Sequence, residues 1–321
     1  MSNNSQRSDL PSFKDILRAK NKITPFISKT PILKSNTINE LCGTELFFKA
    51  EHLQRTGSFK IRGAMNAVNS LGVDILKNGV VTHSSGNHGQ ALSLAAKEKG
   101  IPAYIVVPEG SSIFKVDAIK SYGGIVSYSQ PSLQDRKNAA LEIAKKTNAT
   151  LIPPFNNNDV ISGQGTLGIE MTEQVLDLDA IIIPIGGGGL ASGIAIACRK
   201  LCPSIHLIGA EPAGADDAFQ SFNLGKLVPQ NNPRTIADGL RTSLGHITWP
   251  ILRDNLDVIS TVSEEEIIKA MKLIFNYMKQ VIEPSSGVSV AVALREGKKY
   301  GRKVGVILCG GNIDFKAFSK I

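Results

Sequence analysis

Along the chain, short runs of β-branched and aliphatic residues alternate with longer helical patterns. Glu45–Lys49, Gly79–His83, Ala103–Val107, Gly124–Tyr128, Ala180–Pro184, Ile205–Ala210 and Lys303–Leu308 have the length and composition of strands. Between them, Phe59–Ser70, His88–Lys99, Phe114–Tyr122, Leu133–Lys146, Gly189–Leu201 and Glu264–Lys279 are expected as helices. Alternation of this kind predicts an α/β fold: a parallel sheet with helices on both faces. No internal repeat or low-complexity linker interrupts it. The βα units from Gly79 to Leu151 form one continuous set, which a small domain inserted into a larger sheet would produce.

In open parallel sheets ligands collect at the carboxyl ends of the strands. Glycine-rich segments follow three of the expected strands: Ser84-Ser85-Gly86-Asn87-His88-Gly89, Gly186-Gly187-Gly188-Gly189 and Cys309-Gly310-Gly311-Asn312. Three such segments at equivalent ends imply one shared site. The tetraglycine lies between the buried strand Ile181–Ile185 and a helix start, where backbone N–H groups and the helix dipole favour a phosphate. A dinucleotide site and a purely structural turn are the alternatives. The first wants the spacing G-x-G-x-x-G and an acidic residue after the next strand. Glu211 stands where that residue would be, but four consecutive glycines do not have the spacing. Lys60, in Gly57-Ser58-Phe59-Lys60-Ile61-Arg62-Gly63-Ala64, opens a helix, where a cation is disfavoured. Taken alone it is a surface lysine. Desolvated in a shared site it is an imine-forming nucleophile.

Composition narrows the classes. Of 321 residues, 42% are hydrophobic and 20% charged, as in ordinary globular proteins. No apolar run is long enough to span a bilayer, and the polar opening MSNNSQRSDLPS has no signal core, so a cytoplasmic protein without membrane contact is expected. The net charge of +8 is scattered and aromatics are only 6%, which argues against nucleic-acid binding and leaves a mild attraction for anionic substrates. Cys42, Cys198, Cys202 and Cys309 are expected as reduced thiols, because Cys198 and Cys202 lack a second ligand pair for zinc.

Four segments in order, Thr56-Gly57-Ser58-Phe59-Lys60-Ile61-Arg62-Gly63-Ala64, His83 to Gln90, the tetraglycine and Cys309 to Asn312, resemble the fold type II pyridoxal-phosphate enzymes of the serine/threonine dehydratase group. The likeness runs from about Thr30 to Phe315 and is strongest to the members that racemise serine. It implies a tryptophan synthase β-like fold, with a large cofactor-binding domain from residues 1–78 and 155–321 and a small mobile α/β domain from 79–154. It implies pyridoxal 5'-phosphate as cofactor, serine as substrate and a homodimer. Lys60 would carry the cofactor as a Schiff base, Phe59 would pack beside the ring and Asn87 would bond the ring hydroxyl. Gly186, Gly187, Gly188, Gly189 and Leu190 would hold the phosphate, and Cys309 would face the ring nitrogen, where the racemising members commonly have serine. Ser84, Ser85, Asn87 and His88 would bind the substrate carboxylate.

Racemisation needs a proton removed on one face of Cα and returned on the other. Lys60 serves one face, and the resemblance gives Ser85 the other, where dehydratases usually carry alanine. The plain alternative is that Ser85 caps the helix that follows. Loss of the β-hydroxyl after the same first step gives pyruvate and ammonia, so serine dehydratase activity is expected beside racemisation, and a dedicated L-serine/L-threonine dehydratase is the alternative. Cys309 and the aromatic in Pro154-Phe155-Asn156 favour that alternative.

The likeness also implies a divalent-cation site for Mg²⁺, Ca²⁺ or Mn²⁺ at Glu211, the carbonyl of Ala215, and Asp217; hard oxygen ligands suit such ions. Acidic capping of the helix near Ala218 is the alternative there. An activating ATP site at a dimer interface would use Ser35, Asn36, Thr37, Arg55, Thr56, Gln90, Tyr122 and Asn312. No isoleucine-binding regulatory domain is expected in the few residues after Asn312.

Overall fold

The computed structural model describes residues 10–319. The opening residues 1–9, read above for a signal core, lie outside the described residues. Among the described residues ten strands form two sheets: β1 (Ile32–Leu33), β2 (Glu45–Ala50), β3 (Val80–Thr82), β4 (Ala103–Pro108), β5 (Gly124–Ser129), β6 (Thr150–Leu151), β7 (Ala180–Pro184), β8 (His206–Pro212), β9 (Val258–Val262) and β10 (Lys303–Leu308). The larger sheet has the order β1-β2-β10-β7-β8-β9 and the smaller β5-β4-β3-β6. Every pairing is parallel except β1 with β2. All seven expected strands are present, shifted by up to two residues at their ends.

Both faces of the larger sheet are covered, which is why its strands are apolar without alternation. On β7, Ile181 and Ile183 enter one core, while Ala180 and Ile182 enter the other. A third core packs the smaller sheet against the helices Lys60–Ser70 and Asn87–Glu98. Among the described residues no helix is long and apolar enough to cross a membrane.

Several elements were not read from the pattern. Asn158–Gln174 is a 17-residue helix, buried on every side from Val160 to Met171. Its Gly163, Gly165 and Gly168 dilute the periodic signal, and they are there for contact. A Cβ on Gly163 would lie 2.4 Å from the carbonyl oxygen of Arg62, and one on Gly193 would lie 2.5 Å from the backbone nitrogen of Gly165. The helices Lys60–Ser70, Asn158–Gln174 and Gly189–Leu201 therefore touch backbone to backbone. Pro284–Glu296 is similarly buried and rich in small residues. Phe13–Ile23 is an amphipathic helix opened by a Ser12/Asp15 capping box, a signal that was present in the text. The expected helix Glu264–Lys279 is α-helical only to Leu273. A π turn over Ile274–Met278 follows, and Lys279 ends it at φ 57°.

Candidate active site

The carboxyl ends of β3, β7 and β10 face one cavity of about 690 Å³. Every residue assigned above to the cofactor or to the substrate carboxylate lines it. The segment before Lys60 is tied to the end of β10: Phe59 N donates to Cys309 O at 3.0 Å, and Ser58 bridges Gly310. Lys60 opens the helix Lys60–Ser70, and its Nζ donates to Pro154 O at 2.9 Å. Desolvation pushes its ammonium down to about 8, against the opposing influence of Cys309 and Glu283. The group is thus poised between proton carrier and free amine near neutrality.

The tetraglycine has two reasons to be glycine. Gly188 sits at φ +85°, and a Cβ on Gly187 would fall 2.3 Å from the Phe155 ring. The helix that begins at Gly189 has no side-chain cap, so its first-turn N–H groups are left for an anion. A second uncapped helix start faces the cavity at Asn87. The residue at its cap position is Gly86, and no side chain caps it, so Ser85 does not serve as the cap. The nearby Ser84 Oγ accepts weakly from Gly86 N at 3.4 Å. Burial first, and the charge of Lys60 second, push His88 down to about 3, so its ring is neutral and Nε2–H donates to Ile152 O at 3.0 Å.

Glu283, absent from the sequence-based site, is a buried carboxyl on the cavity lining. It precedes the helix Pro284–Glu296, and Asn87 Nδ2 donates to its two oxygens at 2.9 and 3.0 Å. Asn312 Nδ2 in turn donates to Asn87 Oδ1 at 2.8 Å. Burial, and then the negative charge of Asp238, raise Glu283 to about 7. A carboxylate before proline at the end of the apolar Val281-Ile282 was the only signal. Cys309 is buried with Ser286 Oγ 3.4 Å from its Sγ, and burial pushes the thiol up. Also lining the cavity, Lys115 pairs with Asp238, while Arg136 has an Nε–H without a partner.

The structure brings Glu211, near the end of β8, together with Asp217, with the buried Ala215 between them in sequence. Glu211 caps the helix Asp217–Leu224, accepting from Phe219 N at 2.7 Å and Ala218 N at 3.2 Å. Asp217 Oδ2 accepts from Leu244 N at 3.0 Å, but its buried Oδ1 has no partner. Burial raises both carboxyls, Asp217 to about 6 and Glu211 well above its usual value, and for Glu211 the charge of Asp217 adds to it. An orphaned oxygen and two buried carboxyls that resist ionisation fit a cation. Among the described residues no group of three or more His, Cys, Asp or Glu gathers anywhere, so a cation here would take its other ligands from backbone carbonyls and water.

Of the residues assigned to ATP, Arg55, Thr56, Tyr122 and Asn312 are joined: Tyr122 donates to Arg55 O and Asn312 Nδ2 to Thr56 O. Gln90 has a buried Nε2 without a partner. Ser35, Asn36 and Thr37 belong to a different element, the start of the helix Asn36–Cys42.

The family model for pyridoxal-phosphate dependent enzymes matches residues 23–310. A serine racemase of Arabidopsis thaliana is 48% identical over 93% of this chain and 92% of its own length. The L-threo-3-hydroxyaspartate ammonia-lyase of Saccharomyces cerevisiae is 44% identical over 97% of this chain and 96% of its own. The structure of maize serine racemase superposes with a TM-score of 0.94 at 42% identity, covering 97% of this chain and 96% of that one.

Proposed function

The chain belongs to the pyridoxal-phosphate dependent enzymes, and on that premise we propose that it interconverts L-serine and D-serine and also eliminates serine to pyruvate and ammonia. The observation that carries the reading is the pairing of a desolvated Lys60 amine with a Ser85 hydroxyl free of capping duty, both on one cavity under two uncapped helix starts. In this reading Lys60, Phe59, Asn87, Gly186 to Gly189, Leu190 and Cys309 hold the cofactor. Bound pyridoxal phosphate supplies the electron sink for the charge left when the Cα proton departs. Lys60 Nζ takes or returns that proton on one face, and Ser85 Oγ does so on the other. The amides at the start of Asn87–Glu98, with Ser84, Asn87 and His88, orient the substrate carboxylate. Neutral His88 contributes no charge.

We include in the proposal a divalent cation at Glu211, Ala215 and Asp217, a homodimer, and ATP as an activator bound through the Arg55–Asn312 group. A cytoplasmic location is part of the same reading; all four cysteines are free, as in a reducing compartment.

A second reading is favoured by Arg136. Its unpartnered Nε–H on the cavity wall fits a substrate with a second carboxylate, and the yeast relative is named for 3-hydroxyaspartate. One assay decides among these readings: D-serine and pyruvate formation from each serine enantiomer, and oxaloacetate formation from L-threo-3-hydroxyaspartate, in wild type and Ser85→Ala. Racemisation should fall by about 10²–10⁴-fold in Ser85→Ala while elimination from one serine enantiomer survives. Pyruvate without D-serine in the wild type would make the chain a dehydratase. A kcat/KM for hydroxyaspartate far above that for serine would establish the second reading.

A further inference from the structure

Among the described residues the three charged side chains with no exposure at all lie outside the cavity. Lys49, Glu51 and Arg62 are completely buried and Glu170 is 8% exposed. Arg62 Nε and Nη2 donate to the two oxygens of Glu51, both at 2.8 Å. Its Nη1 and Nη2 reach the two oxygens of Glu170 at 2.7 and 2.9 Å, and Nη1 also donates to Thr166 Oγ1 at 3.2 Å. Lys49 Nζ donates to Glu170 Oε2, Gln174 Oε1 and Thr30 O at 2.7, 2.7 and 2.8 Å. All five guanidinium and all three ammonium protons are used.

Such a network is a poor way to gain stability, because apolar side chains of the same volume do as well. What it does supply is a single geometry, since each planar fork accepts only one arrangement of its partners. The place it acts is specific. Arg62 sits two residues after Lys60 on the same helical turn. Glu51 follows β2. Glu170 and Thr166 belong to Asn158–Gln174, the helix that begins just after Pro154, whose carbonyl holds Lys60 Nζ. The network therefore ties together the two backbone segments that set the Lys60–Pro154 hydrogen bond. The helices are pressed into contact at the same point: a Cβ on Gly63 would lie 2.4 Å from Gln164 Nε2 and 2.8 Å from Val160 O.

We propose that Arg62 is a positioning residue for Lys60: through Glu51 and Glu170 it locks the helix bearing Lys60 against β2 and Asn158–Gln174, and so fixes where the ε-amino group stands. The inference concerns the apo chain and holds whichever substrate the cavity takes. If the clamp is loosened, the turn carrying Lys60 shifts, water reaches Nζ, and both its low basicity and its aim are lost.

The test uses Lys49→Met/Glu170→Gln, which removes one positive and one negative charge and leaves the Arg62–Glu51 pair neutral. Competitive labelling of the cofactor-free protein with acetic anhydride, followed by peptide mapping, reads the titration of Lys60 directly. The wild-type midpoint should lie near 8, and the variant's should move up towards an ordinary lysine. In the cofactor-loaded protein, kcat per folded molecule should fall by about 10- to 100-fold while KM stays within about threefold. Arg62→Lys, which keeps the charge without the fork, should show the same two changes. Ile267→Ala, in the core on the other side of the sheet, supplies a matched loss of melting temperature. An unchanged Lys60 midpoint and unchanged kcat in the clamp variants, with only the melting temperature lowered as in Ile267→Ala, would overturn the proposal. Should the double variant not fold, Glu170→Gln alone is scored by the same two readings. Absence of serine turnover in the wild type, with its Lys60 midpoint near 8 and the clamp variants' midpoints raised, would count against the proposed function and leave the clamp standing.

Discussion

Lys49, Glu51, Arg62 and Glu170 bury two positive and two negative charges, whereas Glu211 and Asp217 bury two carboxyls that form no ion pair among the described residues. The chemistry follows the balance. Burial works to raise Glu170, but the hydrogen bonds and charge of Arg62, with Lys49, overcome it and hold the carboxyl below its usual range. At the other cluster backbone hydrogen bonds from Ala218, Phe219 and Leu244 oppose burial without overcoming it, and both carboxyls are pushed up. One cluster is complete within the chain and acts as a structural lock. The other leaves Asp217 Oδ1 without a partner, and in the proposed function a cation binds there.

The largest expected effect comes from removing the guanidinium at the centre of the first cluster. Arg62→Met leaves Glu51 and Glu170 buried without a guanidinium and should cost about 3–5 kcal/mol. Urea unfolding monitored by circular dichroism measures this, and a loss below about 1 kcal/mol would mean that the cluster relaxes without its centre.

Completing the second cluster should have a smaller effect of opposite sign. Magnesium or calcium at a hundred times its Kd should raise stability by about 2.7 kcal/mol at neutral pH. Chelator should remove the gain, and Asp217→Asn should abolish it. An equal shift in wild type and Asp217→Asn would place the cation elsewhere.

The smallest effect is a pH dependence. Glu170 has its folded-state carboxyl below the usual value of 4.5, so its contribution is present above that value and is lost as pH falls through the folded value. The stability difference between wild type and Lys49→Met/Glu170→Gln should therefore shrink as pH is lowered below about 4.5. A difference that grows in acid would reverse the sign assigned to this cluster.

How far the text of the chain could be read depended on how local each signal was. The seven strands, the three glycine-rich segments and Lys60 at a helix start were legible because composition and spacing report them within ten residues or so. The helix Asn158–Gln174 was not, since glycines that serve neighbouring helices erase its periodicity. Ser85 shows the limit within one segment. Its place beside a helix start was visible, but only the backbone shows that Gly86 holds the cap position.

By itself the sequence determined the strand–helix order, the placing of phosphate-sized glycine turns after strands, and a lysine set to join them. These are properties of short peptides: side-chain periodicity, φ freedom and helix starts. Tertiary structure alone decided that Glu283 would meet Asn87 across 196 residues of chain, and that Arg62 would find Glu170 across 108. It decided too that Lys60 would lose water enough to titrate near 8. Desolvation and charge pairing depend on what surrounds a group in space, and no local pattern encodes the neighbours that the fold brings to it.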